Sequence, residues 1–312
     1  MAAIHPSATS TSDSDASRNP RWLAWLPWAA VAALTALVTL TLVITDNSAT
    51  VTEPAYPAHQ LDDPIAPWIF VYGWPAIWFG ALIAIAVHFA RKRVLSMPAI
   101  LFLSGTTMFW IEWPADWGSY LVYNRDFWTF SGWTSTWYQT YWKPVGVIFG
   151  YGVFFGAEAL ILLHVVPRVK AGLQRMMPTA SPTALLVVAC LAMFYVVDIL
   201  GERLMTAAGW YSYVEPVGWA WTSDRGSISW VWPAIPFLLF AVAITLTLRA
   251  DDRGFYPNEK LFRIHQLTAG PQREFARLAA WIVTMNVAIF IAQPLILVLG
   301  RILFLHDSVY VP

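Results

Sequence analysis

Seven stretches of this chain are apolar and long enough to cross the roughly 30 Å hydrocarbon core of a bilayer, and nothing else in it constrains the fold so tightly. They cover about 22 to 45, 67 to 90, 97 to 120, 144 to 166, 183 to 205, 229 to 248 and 278 to 305. In lipid every backbone N–H and C=O must be satisfied inside its own segment, so these runs are predicted to be helical. With 58% hydrophobic and 12% charged residues, the composition excludes an ordinary soluble domain. The expected fold is therefore an all-α integral membrane protein with seven transmembrane helices. Residues 1–20 are rich in Ser, Thr, Ala and Asp and read as a disordered N-terminal tail, not as a signal peptide. The membrane domain then covers 21–305, and 306–312 form a C-terminal tail.

Charge in the connecting segments orients the bundle. One alternate set of loops holds fourteen Lys and Arg residues, from Arg18 through Arg91, Lys92 and Arg93 to Arg273 and Arg277, and the other holds only Arg125, Lys143 and Arg225. That asymmetry supports the count of seven and predicts a cytoplasmic N-terminus and an external C-terminus, as in a bacterial plasma membrane. A formal net charge of zero with no clustered basic face argues against a nucleic-acid partner. The expected partners are the lipid bilayer and a hydrophobic small molecule, with protein partners unspecified.

Against that background, four acids stand at membrane depth: Glu112 and Asp116 in the third run, Asp198 and Glu202 in the fifth. The i, i+4 spacing puts each pair on one helix face. Counting about 1.5 Å per residue from the inner end of each run places Glu112 and Asp198 about 22 Å up, and Asp116 and Glu202 about 28 Å up. All four thus share a layer in the outer half of the membrane. Intramembrane acids mark a pathway, a proton relay or a reaction site. The alternative is a structural salt-bridge and hydrogen-bond network, and Arg203 and Arg301 lie at similar heights. Two arginines cannot neutralise four carboxyls, however, and Arg203 points about 100° away from Glu202 around the helix. Glu158, a fifth membrane acid, falls well below this layer and is expected to meet a local partner.

Seven of the nineteen tryptophans lie between Trp110 and Trp142, interleaved with Tyr120, Tyr123, Tyr138 and Tyr141. Some belong to an interfacial aromatic belt. Their density through a whole external loop, 121 to 143, equally suits a lid whose flat walls cover the acids. Candidate substrate-binding residues are accordingly Trp113, Trp117, Tyr120, Tyr123, Asn124, Trp133 and Trp137, together with Arg203 and Arg301. Gly146, Gly150, Gly152 and Gly156 form small-xxx-small steps that read as helix packing. Trp74-Pro75-Ala76-Ile77 and Trp232-Pro233-Ala234-Ile235 read as an interfacial Trp followed by Pro in a first helical turn. Asn286 and Gln293 are expected to hydrogen-bond between helices.

Other chemistries lack their residues. The single cysteine, Cys190, gives neither a disulfide nor a thiolate metal site, and six scattered histidines cannot build a many-histidine iron site. No phosphate loop, dinucleotide fingerprint, H-E-x-x-H pair or G-x-S-x-G elbow is present. The expectation is acid/base work without cofactor or metal, with Glu112, Asp116, Asp198 and Glu202 as the catalytic set. Glu112 and Asp198, being deeper, are assigned as proton donors, and Asp116 and Glu202 as base or orienting partners.

The segment Trp113-Pro114-Ala115-Asp116-Trp117-Gly118-Ser119-Tyr120, with Tyr123-Asn124, Lys143-Pro144 and Phe149-Gly150-Tyr151-Gly152, resembles the AveC-like spirocyclase family of actinobacterial membrane proteins over about 65 to 305. That resemblance implies a cyclase-type activity, in one instance joined to a dehydration, on a lipophilic, polyketide-derived substrate. It carries over no catalytic residues. Two rival readings use the same acids: a proton-coupled transporter or lipid-binding membrane protein, and a scaffold subunit of a membrane complex. Against the transporter stand the lack of a convincing internal repeat and of expected helix breaks deep within the spans.

Overall fold

The computed structural model describes residues 21–44, 65, 68–124, 127–128, 144–223, 226–308 and 311. Over these residues the chain is mainly helical, and five helical stretches are long and apolar enough to cross a membrane: Trp22–Thr41, Ile69–Lys92, Gly146–Met176, Pro182–Ala207 and Pro271–Phe304. Two shorter apolar helices, Met97–Thr106 and Ala234–Thr247, accompany them. In chain order the elements are α1 (Leu26–Ile44), α2 (Trp74–Lys92), α3 (Met97–Thr106), α4 (Glu112–Ser119), β1 (Leu121–Tyr123), α5 (Gly146–Leu160), α6 (Val166–Met176), α7 (Pro182–Ala207), β2 (Tyr211–Tyr213), β3 (Ala220–Ser223), β4 (Gly226–Ser229), α8 (Ala234–Thr247), α9 (Pro257–Leu261), α10 (Pro271–Ala292) and α11 (Pro294–Phe304).

The apolar run 97 to 120 is not one helix, which corrects the expectation of an unbroken third span. Pro114 has no N–H, and its ring would strike the carbonyl of Trp110 in a continuous helix, so it is tolerated only in the first turn of a new one. The chain accordingly tightens into a 3₁₀ turn at Phe109–Ile111 and restarts as α4. Asn286 of α10 fills the break: its Oδ1 accepts from Trp110 Nε1 at 2.7 Å, and its Nδ2 donates to Thr107 Oγ1 at 2.8 Å. Asn286 thus makes the interhelical bonds expected of it.

Pro294 divides the last span in the same way, leaving Gln293 at φ −122° and ψ −78° between α10 and α11. Spans do contain interior breaks, contrary to expectation. The 229 to 248 run is shorter as a helix than its hydrophobicity suggested, because Gly226–Ser229 is a strand and α8 starts only at Ala234. Pro75 does occupy a first turn. Pro233 instead precedes its helix, after a cis Trp232–Pro233 peptide.

Lipid tails are as apolar as leucine, so association inside a bilayer depends on close packing rather than on escape from water. Here α3 is wedged between α5 and α10, and α7 and α8 pack side by side beyond them. A methyl group at Gly105 would fall 2.5 Å from Phe155 Cβ, and one at Gly152 would fall 2.3 Å from Thr106 Oγ1. Gly146 and Gly156 likewise sit against Phe70 and Phe102, so three of the four glycines in the small-residue steps pack as expected; Gly150 touches nothing. Facing outward are large apolar side chains such as Ile83 on α2, Leu204 on α7 and Phe304 on α11, 63%, 71% and 82% exposed. In water each would carry an unfavourable hydration cost. A hydrocarbon surround removes it.

An unyielding contact lies between α4 and α11, where an added Cβ at Gly118 would stand 2.7 Å from the Leu297 carbonyl carbon, a backbone atom that cannot rotate away. Gly118→Ala is therefore expected to destabilise the protein by about 1–3 kcal/mol. Gly80→Ala, at a helical position with nothing within 4 Å, should leave stability equal or slightly raised. Thermal unfolding of the two variants in detergent checks the contrast.

Candidate functional site

Both acid pairs end their helices, and the segments that follow tie those ends together. α4 closes at Tyr120, which adopts the left-handed conformation (φ 57°) that lets the chain turn directly into β1. α7 closes near Ala208 and leads into β2. The strands pair antiparallel, Leu121 opposite Tyr213, Val122 opposite Ser212 and Tyr123 opposite Tyr211. Asn124 extends the join by donating its N–H to Trp210 O at 2.8 Å and its Nδ2 to Gly209 O at 2.9 Å. This clamp turns Glu112, Asp116, Asp198 and Glu202 onto a single cavity of about 140 Å³.

The rest of the lining includes Phe70 and Trp74 before and at the start of α2, Gly150, Tyr151 and Phe154 of α5, Gly201 and Met205 of α7, Tyr123, Tyr211 and Tyr213, and Phe237 and Gln293. Among the described residues of the lining there is no Lys, Arg or His. Both oxygens of Glu112 accept hydrogen bonds from phenols, one from Tyr123 and one from Tyr151. Tyr211 and Tyr213 face Glu202, while Glu202 Oε2 and Asp116 Oδ2 are buried without a hydrogen-bond partner. Asp116 shares the cavity with both Glu112 and Glu202 and lies within electrostatic reach of each. Burial, and next the Glu202 carboxyl beside them, push the phenols of Tyr211 and Tyr213 well above the ordinary tyrosine value. They are hydrogen-bond donors here, not bases.

Neither arginine is paired with any of the four cavity acids. Arg203 donates to Ser223 Oγ at 3.3 Å and lies over the Trp221 ring, 4.4 Å from its centroid. Arg301 is buried between the rings of Trp117 and Tyr120, at 4.1 and 4.4 Å, and donates to the carbonyls of Trp117 and Val311. Both stand outside the cavity lining. Of the described aromatic candidates only Tyr123 lines it. Trp113 is wholly buried edge-on to Phe109, Trp117 lies under Arg301, and Tyr120 donates to the His306 carbonyl. Trp133 and Trp137, with most of the loop 121 to 143, fall outside the described residues.

Glu158 requires a correction. It is 3% exposed, its Oε1 has no partner, and no described base stands against it; instead its charge interacts with Asp198. The local partner expected from its height is absent among the described residues, because α5 and α7 converge on the cavity and bring the two carboxyls within electrostatic reach. Sequence reasoning also missed Tyr151, Tyr211 and Tyr213. The i, i+2 spacing of the last two was a legible signal, since alternate residues of a strand share a face. Among the described residues no group of three His, Cys, Asp or Glu is arranged to hold a metal ion.

Because Tyr123 and Tyr151 are the two phenol donors to Glu112, Tyr123→Phe and Tyr151→Phe are each expected to cost about 1–3 kcal/mol, the usual cost of stranding a buried polar group. Unfolding midpoints in detergent measure this, and a double variant equal to the sum of the singles would mean that the phenols do not act through one carboxyl.

No curated protein and no solved structure matches the chain. Residues 92–306, most of its length, match the family described as spirocyclase AveC-like, a range that contains both acid pairs, both strands of the clamp and the breaks at Pro114 and Pro294. The chain belongs to the AveC-like spirocyclase family, as its aromatic segments suggested.

Proposed function

We propose that the protein is a membrane cyclase of the spirocyclase type that closes rings on a lipophilic, polyketide-derived substrate by carboxyl general acid/base catalysis. The observation that carries this is the convergence of four carboxyls on one small, mainly apolar cavity with no described cation among them. Family membership supports a cyclase-type activity.

Spiroketal closure expels water from a hemiketal and then adds a hydroxyl to the resulting oxocarbenium ion, so it needs an acid and a base on the same substrate. The hydrogen bonds favour exchanging the roles expected of Glu112 and Glu202. Glu112, accepting at both oxygens, is held as the base that takes the hydroxyl proton. Glu202, with Oε2 unpartnered and Asp198 one turn below it, donates the proton that turns the hemiketal OH into water. Asp116, facing both, returns the proton from Glu112 to Glu202, so that each turnover releases one water and leaves the site unchanged. Tyr and Trp faces around the cavity can stabilise the cationic intermediate, and a mainly apolar chamber discourages hydrolytic reopening.

In the membrane, the two shorter apolar helices would complete seven crossings, with α3 and α4 together making the third. The loop charges then place the N-terminus inside and the C-terminus, with the acid-bearing ends of α4 and α7, toward the outer face. A second reading, a proton-coupled transporter, draws on the helix breaks at 107–111 and at Gln293, since transporters build binding sites at such breaks.

Glu112→Gln and Glu202→Gln, each confirmed as folded in detergent, are expected to lower product formation by about a hundredfold or more, the scale of losing a general acid or base. Unaltered product from both folded variants would eliminate the enzyme reading. Uptake of a labelled compound that tracks an imposed pH gradient, with no chemical change in it, would establish the transporter instead.

A further inference from the structure

We propose that the substrate reaches the acids sideways from the bilayer, through a mouth between α5 and α7 whose width is set by Gly150 and Gly201. The inference rests on the cyclase reading above and adds the route and the substrate form. Gly150 sits within the cavity-lining face Val147–Gly150–Tyr151–Phe154 of α5, and Gly201 within the face Asp198–Gly201–Glu202–Met205 of α7. A Cβ at either position would meet nothing within 4 Å. Glycine inside a helix is destabilising relative to alanine. At Gly105, Gly146 and Gly152 that loss is offset by a close packing contact; at Gly150 and Gly201 there is none, and what the missing side chains leave is cavity space.

The cavity is open on the side of these glycines. Gly150, Phe154, Gly201 and Met205 are all partly exposed, whereas Phe70, Asp116, Tyr123 and Tyr213, also in the lining, are buried. Beside Gly201 on α7 stand Leu200 and Leu204, 57% and 71% exposed, so the mouth abuts surface suited to hydrocarbon. A chamber of about 140 Å³ has room for a ring-sized fragment. The occupant this fits is therefore a long lipophilic molecule whose reacting end lies among the acids while its apolar remainder occupies the mouth and the adjoining lipid.

The test uses the full chain in phosphatidylcholine vesicles with a long-chain fatty alcohol carrying a terminal diazirine, photolysed and mapped by mass spectrometry. In the unmodified protein, label is expected on the cavity peptides carrying Phe154 and Met205 as well as on the outward Leu204 side. Gly150→Leu combined with Gly201→Leu should abolish the cavity label and keep the outward label. Gly80→Leu combined with Gly172→Leu, at helical glycines with equally open surroundings outside the lining, should change neither. Absence of cavity label in the unmodified protein, or its persistence in the Gly150/Gly201 double variant, would overturn the proposal. If that double variant is not monodisperse, Gly150→Ala and Gly201→Ala, each adding one methyl group to open space, are read instead for a graded loss. Cavity label without product refutes the chemistry and leaves the route standing; product without cavity label refutes the route alone.

Discussion

Carboxyl groups removed from water require compensation, and this protein gathers four of them around one chamber without placing a described base among them. Compensation comes from phenols: Tyr123 and Tyr151 donate to Glu112, and Tyr211 and Tyr213 face Glu202. A phenol can donate one hydrogen bond without bringing a charge, so the carboxyls remain able to exchange protons in a way that a guanidinium pair would prevent. Structural need alone would be met more simply by arginine, and Arg203 and Arg301 stand outside the cavity lining. Their guanidinium groups are engaged elsewhere, on aromatic faces and main-chain carbonyls.

Holding such a site together demands a rigid frame, because carboxyls with free lone pairs tend to pull apart or hydrate. The short β1–β2 pairing supplies it by fastening the ends of α4 and α7 through backbone hydrogen bonds. Ser212, on the face opposite the two tyrosines, accepts from Ser227 N at 3.1 Å and ties this clamp to β4. Broken helices belong to the same design. Pro114 lets α4 start at Glu112, and Gln293, left between α10 and α11 by Pro294, joins the cavity lining. Asn286 satisfies the polar groups at the first of these interruptions, which makes it tolerable at membrane depth.

Much of this was legible in the residues. Hydrophobic runs marked the helical segments, i, i+4 spacing paired the acids correctly, and depth counted along each helix placed both pairs in one layer, where they do share a cavity. Less legible was anything that depended on which way a side chain turns. Trp113, Trp117 and Tyr120 lie beside the acids in sequence yet pack away from the cavity, because a helix of eight residues presents only one face to it. Tyr151 and Tyr211, far away in the chain, supply the contacts instead. Glu158 was misjudged for the same reason: height along a helix says nothing about lateral convergence.

By itself the sequence determined that the chain is mainly helical, with several helices long and apolar enough to cross a membrane, where its apolar segments run, and that its acids fall in two i, i+4 pairs. These are properties of hydrophobicity and helical period, which act locally. Only the tertiary structure decided that the two pairs face each other, that tyrosines rather than arginines attend them, and that two glycines stand at an open side. Those outcomes depend on the pairing of strands distant in sequence and on close approach between helices, neither of which any single segment encodes.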